Sequence, residues 1–128
     1  MYLTIDFEDK RPIYEQVVDG VKELIARGEL HEGMTLPSVR QVAGDLGVNL
    51  NTIAAAYRQL QSEGLVAVRH GAGAVVKARY SGAVDESELR KGLRAALTQL
   101  LLAGLGEREI VAWVRQELAG VAGKGDSR

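Results

Sequence analysis

The sequence predicts a mainly α-helical protein with one small β-hairpin. Three observations support this: apolar residues recur at helical spacing in several segments, glycines follow those segments, and two short β-branched runs flank a glycine-rich tip. The 128 residues suffice for one compact domain and a small appendage, but not for two domains with separate cores. Hydrophobic residues make up 46% and charged residues 26%, which is typical of a chain that folds into a globule.

The first predicted helix follows a short extended start at residues 2–5. Pro12 is placed in its first turn, where the missing N–H would have had no intrahelical partner. Gly28 is predicted to end it. Its inward face carries apolar residues at helical spacing, namely Ile13, Val17, Val18, Val21, Leu24 and Ile25.

Two short helices joined by a tight turn are predicted next. Ser38 and Gln41 form a capping pattern that begins the second helix, and Gly47 ends it. Asn49 is predicted to cap the third helix through its side-chain oxygen, with Val48 closing an apolar contact just before it. The predicted inward residues of the two helices are Val39, Val42, Ala43, Leu46, Ile53, Ala56, Tyr57 and Leu60.

A β-hairpin is predicted after Gly64, which terminates the third helix. Its strands cover residues 65–68 and 74–76, and residues 69–73 form the tip. Helix, tight turn, helix, glycine stop and hairpin are together the order of a winged helix-turn-helix domain. The sequence therefore predicts that residues 1–79 form such a domain.

A two-helix appendage is predicted at residues 84–119. Asp85 and Glu88 form another capping pattern that begins a fourth helix, and Gly104 and Gly106 separate it from a fifth. We expect the two helices to form an αα-hairpin. Residues 79–84 are interpreted as a linker, and residues 120–128 as a flexible tail.

The apolar stripes of this appendage exceed what an isolated hairpin can bury. The sequence therefore predicts that they pack against a second copy of the chain in a C2 dimer. The residues predicted to form the dimer contact are Leu89, Leu93, Leu97, Leu100, Leu101, Ile110, Val114 and Leu118.

Charge is distributed unevenly along a chain whose net charge is −1. Residues 1–34 carry four basic and eight acidic residues, whereas residues 35–80 carry five basic and two acidic ones. Residues 81–128 carry seven of each. The positive segment coincides with the helix-turn-helix and hairpin, so this part of the chain is expected to face a polyanion.

Several function classes lack support in the sequence. The chain has no cysteine, which excludes disulfides and thiolate sites. His31 and His70 have no acidic partner at ligand spacing, no serine lies in a nucleophile motif, and no apolar run is long enough for a membrane span. We expect a cytoplasmic protein that is not an enzyme and has no metal or cofactor.

The glycines of the hairpin tip allow one alternative. Gly71 and Gly73 are spaced as in a phosphate-cradling loop, which would suggest a nucleotide-dependent enzyme. However, Val76 stands where the third glycine of that motif belongs, and a strand rather than a helix follows. This interpretation is disfavoured.

The sequence resembles the GntR family of bacterial transcription regulators. The resemblance rests on Leu36-Pro37-Ser38-Val39-Arg40, Val48-Asn49-Leu50-Asn51-Thr52-Ile53, Gly64-Leu65-Val66 and His70-Gly71-Ala72-Gly73. Within this family, the chain is most similar to the YtrA subfamily in Val48-Asn49-x-Asn51-Thr52, in Ala56-Tyr57-Arg58 and in its very short C-terminal part.

Residues at the start of the third helix are candidates for reading DNA. Asn49, Asn51 and Thr52 can bond base edges or phosphates from the major groove, although Asn49 is also explained as a cap alone and Thr52 as a surface residue. Arg40 in the first turn of the second helix can hold a phosphate. The full predicted DNA-binding set is Ser38, Arg40, Asn49, Leu50, Asn51, Thr52, Arg58, Arg69, His70 and Gly71.

The resemblance implies more about these residues. It assigns DNA contact to Arg40 and minor-groove insertion to the tip formed by Arg69, His70 and Gly71. Family members often carry arginines where this chain has Leu50 and Ala54, so base discrimination is expected from the asparagines, the tip or DNA shape. Leu50 is then expected to contact a thymine methyl. Tyr57 is interpreted as a core residue, with phosphate contact as the alternative.

The predicted function is that of a homodimeric, sequence-specific transcription regulator, most simply a repressor. Two third helices would read half-sites about 34 Å apart in a palindromic operator. Resemblance to the YtrA subfamily implies control of its own operon and nearby transporter genes, and leaves a small-molecule effector open. A rival is a winged-helix adaptor that binds proteins and shows no salt-dependent affinity for DNA.

Overall fold

The computed structural model describes residues 1, 3–69, 73–77 and 84–122, with backbone alone for Arg69, Val121 and Ala122. Within these ranges the predicted order of elements is confirmed. The helices and strands are α1 (Ile13–Ala26), α2 (Val39–Leu46), α3 (Leu50–Ser62), β1 (Val66–Arg69), β2 (Gly73–Val76), α4 (Glu86–Leu102) and α5 (Glu107–Ala122).

Helix α1 has the inward face that its periodicity predicts. Five of the six predicted residues are buried, and Ile13 is partly buried against the core. Pro12 occupies the N-cap position, one residue before the predicted first turn. Gly28 has a φ of +84°, a conformation that favours glycine and ends the helix as predicted.

The N-terminal segment is fixed against α1 without forming a strand. The buried Gln16 amide accepts a hydrogen bond from the Asp6 N–H at 2.9 Å and donates to the Asp6 carbonyl at 3.0 Å. Leu3 lies over Gly20, where an added Cβ would come within 2.8 Å of the Leu3 Cδ2 atom. Specific contacts to α1 therefore hold residues 3–6 in place.

The caps of α2 and α3 are confirmed. The Ser38 Oγ accepts a hydrogen bond from the Gln41 N–H at 3.0 Å, and the Asn49 Oδ1 accepts one from the Asn51 N–H at 2.7 Å. Gly47 has a φ of +68° and ends α2. The turn angle between the two helices is thus set by local hydrogen bonds.

The hairpin is an antiparallel pair whose register runs from Val66 opposite Val76 to Arg69 opposite Gly73. The first strand is shifted one residue from its predicted position, and the second begins one residue earlier than predicted. Differences of one residue at the ends of strands are within the usual variation of such boundaries.

A third extended segment, missed by the sequence analysis, pairs with β2. Thr35 forms a bridge with Val75, and the Leu36 N–H donates to the Ala74 carbonyl at 2.8 Å. The Val76 N–H donates to the Met34 carbonyl at 2.8 Å. The segment before α2 is therefore tied to the hairpin.

Helix α3 lies at the centre of the domain, packed against α1, α2 and β1. Its buried face consists of the four predicted residues Ile53, Ala56, Tyr57 and Leu60. The core around it also draws on α1, α2, β1 and β2. Because its inner side is held from three directions, the outer side of α3 has a fixed orientation.

The C-terminal helices form the predicted appendage. The Asp85 Oδ1 accepts a hydrogen bond from the Glu88 N–H at 3.3 Å, which confirms the cap of α4. Helix α5 continues through Gly120 to Ala122, so it ends three residues later than predicted. Residues 79–83 of the predicted linker and residues 123–128 of the predicted tail lie outside the described residues.

The two C-terminal helices are joined by the turn at residues 103–106, and few contacts connect them. Helix α5 instead packs against α1, and the Arg27 Nη1 donates a hydrogen bond to the Gly120 carbonyl at 3.4 Å. Helix α4 has no buried residue. The two predicted helices are confirmed, and most of the large apolar residues of α4 are exposed within the described ranges.

Candidate nucleic-acid interface

The start of α3 presents a polar surface to solvent. Asn51 is exposed, Thr52 is half-buried, and Leu50 is 43% exposed although it is apolar. The N-terminal turn of a helix is the part that enters a major groove in helix-turn-helix proteins. The structure thus leaves these three predicted side chains available to a groove.

Two asparagines two residues apart have different roles in the fold. Asn49 caps α3 with its side-chain oxygen, as described above. The Asn51 side chain makes no hydrogen bond to any part of the chain that the structure describes. Asn51 can therefore offer both its donor and its acceptor to a base edge without disturbing the helix.

The start of α2 forms a second polar surface. Arg40 is exposed, and its guanidinium has no ion pair or hydrogen bond among the described residues. The N–H groups of Val39 and Arg40 have no intrahelical acceptor because they belong to the first turn. A phosphate at this end would meet both a cation and unpaired N–H groups.

A groove with a volume of about 510 Å³ separates α3 from the hairpin. Residues 35–39 form one wall, and Ala54, Tyr57, Arg58 and Gln61 of α3 form another. The groove brings two predicted DNA-binding residues, Ser38 and Arg58, together with the hairpin residues Val68, Gly73 and Ala74. Asn49, Asn51 and Arg40 lie outside its lining.

Sequence reasoning missed several groove residues. Gln61 follows Arg58 by three positions, so helical periodicity could have placed both on one face. Thr35 reaches the groove because residues 33–36 pair with β2, and no local pattern signals that pairing. Val68 reaches it from β1.

Tyr57 is part of the core, as predicted. Its side chain is 7% exposed, and its hydroxyl donates a hydrogen bond to the Pro37 carbonyl at 2.7 Å. Burial raises the pKa of the Tyr57 phenol to about 12. The Tyr57 hydroxyl already donates its proton to the Pro37 carbonyl, so the geometry does not support the alternative of a phosphate contact.

The carboxylate at the end of α3 is neutralised from α1. The Lys22 Nζ lies 2.7 Å from the Glu63 Oε1, and the Gln59 Nε2 donates to the Glu63 Oε2 at 2.7 Å. Hydrogen bonding to Lys22 lowers the pKa of Glu63. One of the two acidic residues in the positive segment is therefore compensated within the fold.

The tip of the hairpin is only partly described. Arg69 ends β1 opposite Gly73, whose φ is +74°. The Arg69 side chain and the whole of His70 and Gly71 lie outside the described residues. Their assignment to DNA binding stays a prediction, as does the disfavoured phosphate-loop alternative.

The residues predicted to form a dimer contact differ in exposure. Leu89 is 61% exposed, and Leu93, Leu101, Val114 and Leu118 are also exposed. Leu97 and Leu100 are half-buried. Ile110 is buried within the single chain and is therefore less available to a partner than predicted. Three further exposed apolar residues were not predicted: Leu102, Val111 and Trp113.

The described ranges contain neither a metal-ion cluster nor a candidate membrane span. No group of three or more histidine, aspartate or glutamate side chains there is arranged to hold a metal ion. None of the helices described has both the length and the hydropathy that a bilayer span requires.

A central helix with an exposed polar start, a capped helix before it and a β-hairpin behind it together define a DNA-binding protein of the winged helix-turn-helix class. The profile described as "Bacterial regulatory proteins, gntR family" matches residues 13–76, from the start of α1 to the end of β2. The chain belongs to this family.

A curated relative supports the same assignment over nearly the whole chain. The chain is 30% identical to the HTH-type transcriptional repressor YtrA of Bacillus subtilis (strain 168), over 94% of this chain and 95% of that protein. The resemblance to the YtrA subfamily, including its short C-terminal part, is thus confirmed.

Two solved structures extend the comparison. A transcriptional antiterminator from Listeria monocytogenes EGD-e superposes with a TM-score of 0.86 at 28% identity, covering 96% of this chain and 94% of that one. The DNA-binding domain of AraR in complex with operator ORX1 has a TM-score of 0.54 at 26% identity, covering 59% of this chain and 98% of that one. The described fold is that of gntR-type transcription regulators, which are not enzymes.

Proposed function

We propose that this protein is a homodimeric, sequence-specific repressor that binds a palindromic DNA operator. Two observations carry the proposal: the start of α3 is exposed and polar, and the side chains of Asn51 on α3 and Arg40 on α2 have no partner among the described residues. This combination supplies one group for base edges and one for phosphates.

The dimer is supported by the exposed apolar residues of α4. Helix α4 buries none of its residues, although Leu89, Leu93 and Leu101 project from it. Contiguous exposed apolar surface on a helix is typical of an interaction site, because its exposure to water is unfavourable. We propose that the partner is a second copy of this chain, because a twofold-symmetric dimer would bury the same apolar residues on both chains.

A symmetric pair constrains the operator. Two α3 helices related by a twofold axis would reach major grooves on one side of the duplex, with half-sites about 34 Å apart. Inverted half-sites follow from the symmetry. The resemblance to the YtrA subfamily implies that its targets are its own operon and neighbouring transporter genes, and we propose that it acts in the cytoplasm.

Base discrimination in this proposal does not depend on arginines in α3. This chain has Leu50 and Ala54 at the two positions where family members often carry base-reading arginines. Leu50 is exposed enough to contact a thymine methyl. Asn51 supplies a donor and an acceptor that match adenine. We expect the remaining preference to come from the hairpin tip and from DNA deformability.

Selection from random DNA is the test. Fragments retained by the purified protein are sequenced and searched for an inverted repeat, and their affinity is measured over a range of salt concentrations. The proposal predicts a palindrome with half-sites about one helical turn apart and a steep loss of affinity as salt rises. A protein that retains no fragment and shows no salt-dependent binding would instead be the adaptor considered above.

A further inference from the structure

We infer that the groove between α3 and the hairpin binds an amphipathic carboxylate, and that this ligand competes with DNA. The binding part of the inference rests on the groove alone. The competition part rests on the proposed function and deepens it by naming how DNA binding is regulated.

The groove has the volume and lining of a small-molecule site. Its volume of about 510 Å³ lies within the range of about 300 to 1,000 Å³ that such sites occupy. Most of its surface comes from apolar atoms, including those of Pro37, Val39 and Ala54. Val68 lines it while remaining 60% exposed, which is unfavourable for a valine unless an apolar group covers it.

The positive charge of Arg58 favours the binding of an anion in the groove. Arg58 lines it and has no ion pair or hydrogen bond within the described ranges, and no acidic residue among those ranges contributes to the lining. Gln61 lies three positions further along α3, on the same face as Arg58. A carboxylate can accept from both side chains at once, while the body of the ligand lies against the apolar walls.

The walls of the groove are held in place by backbone and buried contacts. The Tyr57 hydroxyl binds the Pro37 carbonyl at 2.7 Å, which ties one wall to α3. The Leu36 N–H binds the Ala74 carbonyl at 2.8 Å, which ties the same wall to β2. A ligand would thus enter a preformed site and would lose little affinity to ordering of the protein.

Other concave regions of the described structure are less suitable. The one beside Met1 and Leu3 has a volume of about 360 Å³ and is lined by the Asp45 carboxylate, which repels an anion. The one on α4 is formed by that single helix and its charged side chains, such as Glu86 and Arg90. Compared with these two regions, the groove beside α3 combines apolar walls with a cation, Arg58, that has no partner among the described residues.

Competition follows from position. Ser38 and Arg58 belong both to the groove and to the predicted DNA-binding set. A bound carboxylate would neutralise Arg58 and fill the space between α3 and the hairpin, two elements that contact the same duplex in winged-helix complexes. Both effects lower the affinity for a phosphate backbone.

The binding test uses the full chain without DNA. Sodium octanoate is titrated into ¹⁵N-labelled protein, and amide shifts are followed by NMR, with neutral octanamide as the matched probe. We expect saturable shifts centred on Ala54, Val68 and Ala74, and at least tenfold weaker binding of octanamide. Equal binding of the two probes overturns the carboxylate assignment, and shifts confined to α4 and α5 overturn the site.

Two variants separate the groove from other apolar surface. Ala54→Leu fills the groove and is expected to abolish the octanoate shifts, whereas Ala95→Leu makes the same change on the exposed surface of α4 and is expected to leave them unchanged. Arg58→Gln is expected to reduce octanoate affinity to that of octanamide. Saturable binding that survives Ala54→Leu would contradict the inference.

The competition test uses the duplex obtained by selection. With free octanoate at ten times its dissociation constant, simple competition weakens DNA affinity about elevenfold. Octanoate binding by a protein that binds no DNA would refute the proposed function while leaving the site in place. If octanoate does not change the affinity for DNA, the competition is refuted, and the proposed function is unaffected.

Discussion

The Tyr57 hydroxyl on α3 donates a hydrogen bond to the carbonyl of Pro37, 20 residues earlier in the chain, at 2.7 Å. This contact joins the helix that is predicted to read DNA to the turn that precedes α2. It also holds one wall of the groove beside the hairpin. A single buried hydroxyl thus links the middle of α3 to the residue that precedes the N-cap of α2.

The first prediction concerns this bond. Tyr57→Phe removes the hydroxyl and leaves the ring in the core, so we expect the free energy of unfolding to fall by about 1 kcal/mol. Urea denaturation measures the change. Tyr14→Phe is the matched control: Tyr14 is 38% exposed and has no side-chain hydrogen bond within the described ranges, so its loss is expected to be near zero. Equal losses in both variants would contradict the role of the Pro37 bond.

The second prediction concerns alkaline pH. Burial raises the pKa of Tyr57 to about 12 from an ordinary value of 10.0, which means that the folded state favours the neutral phenol. The stability that this provides is fully present below pH 10 and is lost as pH rises through about 12. Urea denaturation across this window should therefore show a steeper decline for the natural protein than for Tyr57→Phe. Parallel declines would argue against a buried phenol.

The third prediction separates the two asparagines. Asn49→Ala removes the cap of α3 and is expected to lower the free energy of unfolding by about 1 kcal/mol. Asn51→Ala is expected to leave stability unchanged and to reduce discrimination between operator and mismatched DNA by about 1 to 3 kcal/mol. Denaturation and competitive DNA titration on both variants measure the two effects. Loss of stability in Asn51→Ala without loss of discrimination would remove its proposed role.

The fourth prediction concerns phosphate contact. Arg40→Ala should weaken binding to operator and random DNA alike, and should reduce the salt slope of the binding constant by about 1. Arg108→Ala on the exposed start of α5 removes the same charge elsewhere and is expected to leave the slope unchanged. Fluorescence anisotropy at several salt concentrations gives both slopes. Identical slopes for the two variants would refute the contact.

The fifth prediction concerns the dimer. Leu93 is 57% exposed on α4, so Leu93→Glu is expected to preserve the fold of the chain while placing a charge in the proposed contact. Sedimentation should then show monomers. Ala95→Glu adds the same charge on the other side of α4 and is expected to leave the dimer intact, since the two positions point about 200° apart around the helix. A dimer that persists in Leu93→Glu would place the contact elsewhere.

Local chemistry accounts for most of what the sequence predicted correctly. The caps at Ser38, Asn49 and Asp85 and the stop at Gly47 involve atoms within a few residues of each other, so their patterns are visible in the chain. The buried face of α3 follows from helical periodicity in the same way. These elements position the candidate residues Asn51 and Arg40.

Errors arose where distant segments meet. The pairing of residues 33–36 with β2 has no local signature, and with it the position of Thr35 in the groove was missed. Periodicity placed an apolar stripe on α4 but gave no information on which neighbour covers it. The structure shows that α5 packs against α1 and that α4 has no buried residue.

The sequence by itself determined the order of the elements, their caps and their inward faces, because each depends on backbone hydrogen bonds and side-chain spacing within a few turns. Only the tertiary structure decided which of the polar groups are already engaged. The Tyr57 hydroxyl donates a hydrogen bond to Pro37, 20 residues away, whereas the side chains of Asn51 and Arg58 make none to the part of the chain that the structure describes. Engagement depends on distances between residues far apart in the chain, and those distances exist only after packing.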